Sequence, residues 1–246
     1  MTLQIVLLPG LLCDDAVWSH QLPALSAFGE CVVPDYALRD SIGAMADHVL
    51  ASVDAGRLLV AGHSMGGRVA LEVVRRAPER VAGLALLDTG YQARATGDAG
   101  EHERAQRFGL LELAREQGMR AMGEQWSPGM VHPDRLDSDI YRSILDMIER
   151  STPEKFEAQI NALLNRPDAT GLLGEIRCPT MLVCGREDRW SPLARHEEMQ
   201  TLVHGSRLIA IEHSGHMSTM ERPENVNEAL IEWAKWSINK EETTHG

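Results

Sequence analysis

Short apolar runs alternate with amphipathic segments along most of the chain. The runs are bounded by turn-forming or polar residues and predict buried strands at 3–8, 30–34, 57–61, 81–87, 178–184 and 206–211. Between them, apolar residues recur every three or four positions, as in 42–53, which predicts helices. Continuously apolar strands are typical of a parallel sheet that is covered on both faces. The pattern therefore predicts an α/β protein with a doubly wound, mostly parallel sheet.

This alternation stops after residue 90 and resumes near residue 175. The segment between these points opens with Gly97-Asp98-Ala99-Gly100 and then has helical periodicity with hardly any strand pattern. The expected organisation is a core of residues 1–90 and 175–238, a helical insertion at 91–174, and a polar, disordered tail at 239–246.

Two arginines of the insertion follow a glutamate by four residues. Glu103 precedes Arg107, and Glu116 precedes Arg120. Side chains four residues apart are neighbours on a helix, and such ion pairs are typical of a solvated helix face. Both arginines are therefore expected to face solvent rather than a ligand.

The third apolar run passes through Gly62-His63-Ser64-Met65-Gly66 into a helical pattern. In that pattern Val69, Ala70 and Val73 share one face, and charged residues occupy the other. A serine between a strand and a helix, with a glycine two positions away on each side, is typical of a nucleophile turn. Such a turn strains the serine backbone and exposes Oγ, while the glycines avoid a collision between strand and helix. We predict that Ser64 is the nucleophile.

In this motif and its flanking elements the chain resembles the α/β-hydrolase family, in particular its small serine carboxylesterases with a helical cap. The resemblance implies an α/β-hydrolase fold in which the insertion at 91–174 is the cap. Many members place an antiparallel strand pair before the first parallel strand. Only Met1 and Thr2 precede the first apolar run, so that pair is expected to be missing.

The resemblance also implies the order serine, acid, histidine along the chain. Asp188 follows the predicted strand 178–184 at the usual position of the acid, whereas some members place the acid where Asp88 stands. His216 follows the last predicted strand, directly after a glycine. The predicted catalytic residues are Ser64, Asp188 and His216.

The loop after the first strand, 9–18, resembles the oxyanion loop of the family, with proline where histidine usually stands. By this resemblance the N–H groups of Leu11 and Met65 bind the oxyanion, with Leu12 as an alternative donor to Leu11. The positive end of the helix dipole behind Ser64 stabilises the negative charge that develops on this oxyanion.

Large apolar residues near breaks in the regular pattern are candidates for the wall of a substrate pocket. They are Leu12, Trp126, Met130, Trp190 and Met217. Packing of the insertion on the core is the competing interpretation, above all for Trp126. The sequence predicts a mainly hydrophobic pocket that accepts uncharged or weakly polar acyl groups.

Composition narrows the range of partners. The chain is 43% hydrophobic and 24% charged, as is ordinary for a globular protein, and its net charge of −12 argues against nucleic acid and anionic membranes. The four cysteines have no metal-ligand spacing, and the expected mechanism requires no metal or cofactor. No apolar run of membrane-spanning length and no signal-peptide pattern are present, which favours the cytoplasm.

These features predict a serine hydrolase that cleaves a carboxylic ester through an acyl-enzyme, with a small-molecule ester or lactone as substrate. Hydrolysis of an enol-lactone or of a carbon–carbon bond, and cofactor-free perhydrolysis or acyl transfer, use the same three residues and are alternatives. A ligand-binding receptor of the same fold is the non-enzyme alternative. The oligomeric state is left open.

Overall fold

A computed structural model describes residues 3–240 with their side chains and the backbone of the last helix as far as His245. The strands of this part form one sheet in which every pairing is parallel. They are β1 (Leu3–Leu8), β2 (Glu30–Val32), β3 (Arg57–His63), β4 (Val81–Leu87), β5 (Thr180–Gly185) and β6 (Arg207–Ile211). Their order across the sheet is β2-β1-β3-β4-β5-β6, which confirms the predicted fold class.

Helices cover this sheet and fill the segment between β4 and β5. They are α1 (Gln21–Leu25), α2 (Ile42–Ser52), α3 (Met65–Arg76), α4 (Asp98–Gln117), α5 (Met119–Trp126), α6 (Asp139–Glu149), α7 (Pro153–Leu164), α8 (Thr170–Leu173), α9 (Leu193–Leu202), α10 (Ser218–Glu221) and α11 (Pro223–His245). Helix α3 packs against β1, β3 and β4, whereas α11 packs against β4, β5 and β6. Both α3 and α11 therefore pack against the central strand β4.

Burial explains why the central strands are apolar throughout. Every residue of β4 is buried, and β3 is buried from Leu58 to His63. Strands of a parallel sheet with helices on its faces have no solvated side, so polar alternation is absent. The second strand is shorter than the predicted 30–34 and ends at Val32. Pro34 has no N–H to donate to a neighbouring strand, which limits pairing at that end.

The segment between β4 and β5 is helical from α4 to α8, as its periodicity predicts. Gly118 has φ 91° and ends α4, so Glu116 and Arg120 lie on different helices. The predicted pair between them is therefore wrong. Arg120 instead donates to Asp146 and to Glu149, each at 2.8 Å.

The last helix includes part of the segment for which a tail was predicted. Residues 239 and 240 continue α11, and the side chains of residues 241–246 lie outside the described part. Within the part that is described, no helix has both the length and the apolar character needed to cross a membrane.

Candidate active site

Ser64 stands at the sharp turn between β3 and α3, with φ 54°. Its N–H donates to the carbonyl of Leu87 at 2.9 Å, which ties the turn to β4. The flanking glycines are required by close approach, because a Cβ on Gly62 would collide with the carbonyl of Gly66. A Cβ on Gly66 would in turn collide with the carbonyl of Leu8. The predicted strained turn is present, and it presents the serine side chain at the carboxyl end of the sheet.

His216 lies in the loop between β6 and α10, and its side chain contacts that of Ser64. Its Nε2 is 2.8 Å from Ser64 Oγ, and its Nδ1 is 2.8 Å from Asp188 Oδ2. The carboxylate fixes the proton on Nδ1, which leaves Nε2 free to accept the proton of the serine. The structure thus brings together the three residues that the sequence singles out.

The carboxylate of Asp188 is held on both sides. Its Oδ1 accepts hydrogen bonds from the N–H groups of Trp190 at 2.8 Å and Ser191 at 2.9 Å, while Oδ2 faces His216. Burial alone would raise the pKa of Asp188, but the charge and hydrogen bond of His216 and these two N–H groups lower it. Asp188 therefore stays ionised and orients the imidazole.

Asp88, the competing acid, is buried behind this chain of hydrogen bonds. It accepts hydrogen bonds from Gly185 N at 2.8 Å and from Ser218 Oγ, and its Oδ2 lies 3.8 Å from His63 Nε2. Burial, and then the charge of Asp188, raise the pKa of Asp88 to about 8. The carboxyl group of Asp88 therefore joins the ends of β4 and β5 to the first residue of α10.

Two glutamates that flank the site hold the histidine loop. Glu221 accepts from Gly215 N at 2.9 Å and from His132 N at 2.7 Å, so it links the loop to the helical insertion. Glu187 accepts from Ser214 N at 2.9 Å. The sequence pattern gives neither glutamate a role, because Glu187 bonds to Ser214 and Glu221 bonds to His132, both distant in the chain.

His63, next to the nucleophile, points away from it. Its Nε2 donates to the carbonyl of His216 at 2.8 Å. Burial, and then the nearby charge of His216, lower the pKa of His63 to about 3, so the ring is neutral. The N–H of His216 itself donates to the carbonyl of Met130 at 2.6 Å. The backbone of the histidine loop is therefore held from both the core and the insertion.

The predicted oxyanion donors lie in the loop after β1, which contains Leu11, and at the start of α3, which begins with Met65. Met65 opens α3, so its N–H has no acceptor within the helix. Leu11 N has no protein acceptor among the described residues, whereas Leu12 N donates to Gln159 Oε1 at 2.8 Å. Leu12 is therefore unsuited to be the alternative donor, and Leu11 and Met65 are the pair with amides available to an oxyanion.

A cavity of about 820 Å³ opens in front of Ser64, between the core and the insertion. Trp126, Met130 and Trp190 line it, as predicted. The two tryptophan rings stack at 5.0 Å, and the ring of Trp190 lies 5.0 Å from that of His216. Leu12 and Met217 do not line the cavity, so their predicted place in the pocket wall is wrong; both side chains are buried in the hydrophobic core.

Another part of the cavity wall is strongly polar. It contains four arginines and a glutamate, namely Arg68, Arg107, Arg166, Arg195 and Glu103. The pair of Glu103 with Arg107 is confirmed at 3.0 Å, but its predicted exposure to solvent is wrong, because both side chains face the cavity. The expectation of a mainly apolar pocket fails for this part of the wall.

Two of these arginines leave a signal in the sequence. Arg68 follows Ser64 by four residues, so one helical turn places it beside the nucleophile. Arg166 has no acidic residue three or four positions away and thus no local partner. The other two positions carry no such signal.

Comparison with known proteins settles the family. The model of the alpha/beta hydrolase family matches residues 5–229. The chain belongs to the alpha/beta hydrolase family. Hydrolases of this family have a strand–turn–helix with a Gly-x-Ser-x-Gly motif, and in this chain that segment holds Ser64. The fold and the sequence motif therefore indicate the same family.

The similar proteins include esterases. A pimeloyl-[acyl-carrier protein] methyl ester esterase of Neisseria meningitidis is 29% identical over 184 residues, which are 74% of this chain and 70% of that protein. A thermophilic esterase of Thermogutta terrifontis, solved with malate bound, is 28% identical and superposes with a TM-score of 0.83 over 96% of this chain and 91% of its own. An enol-lactonase of Burkholderia xenovorans superposes with a TM-score of 0.84 over 96% and 92%, but at 20% identity it supports the fold alone. This chain is a hydrolase with esterases among its relatives.

One group of side chains in this hydrolase has atoms suited to a metal ion. Ligand atoms of Asp88, Cys184 and Asp188 lie within 4.8 Å of one another. Each already has a partner: Cys184 Sγ donates to the carbonyl of Ser191 at 3.3 Å, and both carboxylates accept the hydrogen bonds described above. Burial raises the pKa of the Cys184 thiol, which disfavours the thiolate that metals bind. This group is therefore suited to hydrogen bonding.

The pH dependence of the hydrolase follows from the environment of His216. Burial would lower its pKa, but the charge and hydrogen bond of Asp188 outweigh burial and raise the pKa above 6.5. Because only the neutral imidazole can take the serine proton, kcat/KM is expected to rise with pH through an apparent pKa above 6.5. A pH–rate profile from about pH 5 to pH 9 tests this expectation. An acidic limb centred below 6.5 would contradict it.

Proposed function

We propose that this protein hydrolyses carboxylic esters, with Ser64 as nucleophile, His216 as general base and acid, and Asp188 as the orienting carboxylate. The observation that carries the proposal is the continuous chain of hydrogen bonds from Ser64 Oγ through His216 to Asp188, at 2.8 Å for each link. A serine hydroxyl is a weak nucleophile until a positioned base removes its proton, and this geometry supplies that base.

The reaction then follows from the positions of these groups. His216 Nε2 takes the proton of Ser64 as Oγ attacks the ester carbonyl, and the N–H groups of Leu11 and Met65 stabilise the oxyanion. The tetrahedral intermediate collapses, the C–O bond to the alcohol breaks, and His216 returns the proton to the leaving alkoxide. Water, deprotonated by His216, attacks the acyl-enzyme, and collapse of the second intermediate releases the acid and restores Ser64.

The cavity supports a small or medium-sized ester as substrate. Its volume of about 820 Å³ lies in the range of small-molecule sites, and Trp126 and Trp190 provide an apolar wall near the nucleophile. Residues 91–174 act as the cap in this proposal, since they close the cavity above the sheet, while 1–90 and 175–238 form the core. The Neisseria relative is named as a methyl ester esterase, which favours an ester over the other bonds that such residues can cleave.

Active-site labelling with a turnover assay tests the proposal. A fluorophosphonate probe is expected to label Ser64, as seen by mass spectrometry of the modified peptide, and the enzyme is expected to turn over short p-nitrophenyl esters. A parallel panel of lactones and thioesters of matched size compares the bond types, with the highest kcat/KM expected for esters. Labelling of another residue would refute the assignment of Ser64 as nucleophile. Labelling with no turnover of any ester would refute the proposed hydrolysis and favour a receptor.

A further inference from the structure

Arginine side chains from four separate parts of the chain meet in the wall of the cavity. The arginine cluster consists of Arg68 on α3, Arg107 on α4, Arg166 after α7 and Arg195 on α9. Glu103 is the acid that lines the cavity beside it. The protein as a whole has a net charge of −12, so this concentration of positive charge does not follow from composition.

Glu103 balances only part of this charge. Arg166 donates to both carboxylate oxygens of Glu103, at 2.7 and 2.9 Å, and Arg107 donates to Oε1 at 3.0 Å. Burial alone would raise the pKa of Glu103, but these two arginines lower it to about 2, so the carboxylate is ionised. One negative charge therefore faces two positive charges on this side of the cluster, and the buried Nε of Arg166 has no acceptor.

Arg68 and Arg195 have no carboxylate partner within the described part of the chain. Arg68 donates to the carbonyl of Gln92 at 2.8 Å, and Arg195 donates to the carbonyl of Trp190 at 3.1 Å. Both guanidinium groups approach Gly90, where a Cβ would lie 2.9 Å from Arg68 Nη2 and 3.3 Å from Arg195 Nη1. Two unbalanced cations thus point to one place in the cavity.

Keeping these charges together without an anion is unfavourable. Burial, and then the charges of Arg166 and Arg195, lower the pKa of Arg68 to about 9. Arg68 still keeps its proton at neutral pH, so the repulsion is present in the free enzyme. An anion bound between the guanidinium groups would remove the repulsion and replace lost hydration with charge-assisted hydrogen bonds.

We propose that the arginine cluster binds a carboxylate or phosphate group of the substrate, so that the enzyme prefers esters that carry a second, anionic group. The inference rests on the proposed ester hydrolysis at Ser64. Arg68 lies one helical turn beyond Ser64 on α3, which places the anionic group and the reacting ester in the same cavity. The planar fork of a guanidinium matches the paired oxygens of either anion.

Matched substrates test the preference. Methyl esters of equal chain length that end in a carboxylate, a phosphate or a neutral carboxamide are compared by kcat/KM. The carboxylate or the phosphate ester is expected to exceed the carboxamide by about 10- to 100-fold, and high salt is expected to reduce the difference. The larger of the two preferences identifies the anion. Equal or faster turnover of the carboxamide would overturn the proposal while leaving ester hydrolysis intact.

Charge-removing variants locate the preference in the cluster. Arg68→Gln and Arg195→Gln are each expected to lower the ratio of anionic to neutral kcat/KM by about 10-fold or more. Arg142→Gln is the matched control, because Arg142 pairs with Asp139 on the exposed face of α6 and does not line the cavity. The control is expected to keep the ratio of the wild type. A ratio that is unchanged in both cluster variants would refute the assignment.

Binding without turnover separates this inference from the proposed reaction. The free dicarboxylate that hydrolysis of the carboxylate monoester would release is titrated into the wild type and the variants by calorimetry. We expect binding to the wild type and to Arg142→Gln, with affinity about 10-fold lower in Arg195→Gln. Binding that is equal in all three proteins would place the anion elsewhere and overturn the proposal, whatever the esterase activity.

Discussion

Ser64→Ala is expected to lower kcat for ester hydrolysis by about 10⁴-fold or more, with the free energy of unfolding changed by less than about 1 kcal/mol. The large kinetic effect follows because the variant has no atom that can form the acyl-enzyme. The small effect on stability follows because the Ser64 side chain is partly exposed and, among the described residues, its Oγ bonds only to His216. Steady-state kinetics and urea denaturation measure the two quantities.

Ser143→Ala is a suitable control for that variant. Ser143 is exposed on α6, where its Oγ donates to the carbonyl of Asp139 at 2.9 Å. This control is expected to keep the kcat of the wild type. Turnover by Ser64→Ala within tenfold of the wild type would show that another residue is the nucleophile.

Asp188→Asn is expected to lower kcat by about 10³- to 10⁴-fold, whereas Asp88→Asn is expected to lower it far less. An amide at 188 no longer fixes the proton on His216 Nδ1, although it can keep accepting from the N–H groups of Trp190 and Ser191. Asp88 accepts hydrogen bonds from Gly185 N and Ser218 Oγ, whereas His216 Nδ1 bonds to Asp188, so asparagine at 88 leaves the orientation of the imidazole unchanged. Kinetics of the two variants at the same pH compare them directly.

The acidic limb of the pH profile gives a second measurement on the same variants. Without the charge of Asp188, burial dominates the environment of His216, and the limb is expected to move to lower pH in Asp188→Asn. A larger loss of kcat in Asp88→Asn than in Asp188→Asn would mean that the orienting carboxylate is Asp88. Equal losses would equally contradict the assignment of separate roles to the two carboxyl groups.

The arginine cluster changes how the insertion is understood. Arg107 and Arg166 belong to the helical segment between β4 and β5, and Arg68 and Arg195 belong to the helices beside the sheet. The proposed anion site is therefore complete only when the insertion lies over the core. Variation within such an insertion can alter substrate choice while the nucleophile turn is kept, which is consistent with one fold serving many reactions.

The sequence by itself determined the strands, the turn at Ser64 and the positions after strands where Asp188 and His216 stand. These features are local, because burial on both faces requires a continuous apolar run and the turn requires glycines at fixed offsets from the serine. Parallel strands bring their carboxyl ends to one edge of the sheet. Residues directly after different strands are thus expected near one another even when they are far apart in the chain.

Only the tertiary structure decided the character of the pocket and the loop contacts. The pairing of Glu103 with Arg107 is local and was predictable, but its orientation toward the cavity depends on how α4 packs, and Arg166 approaches from a segment distant in sequence. Likewise, Leu12 N is occupied by Gln159, a contact across 147 residues. Periodicity reports which face of an element is apolar, not which elements meet, so charges that come from four separate parts of the chain leave no common pattern along it.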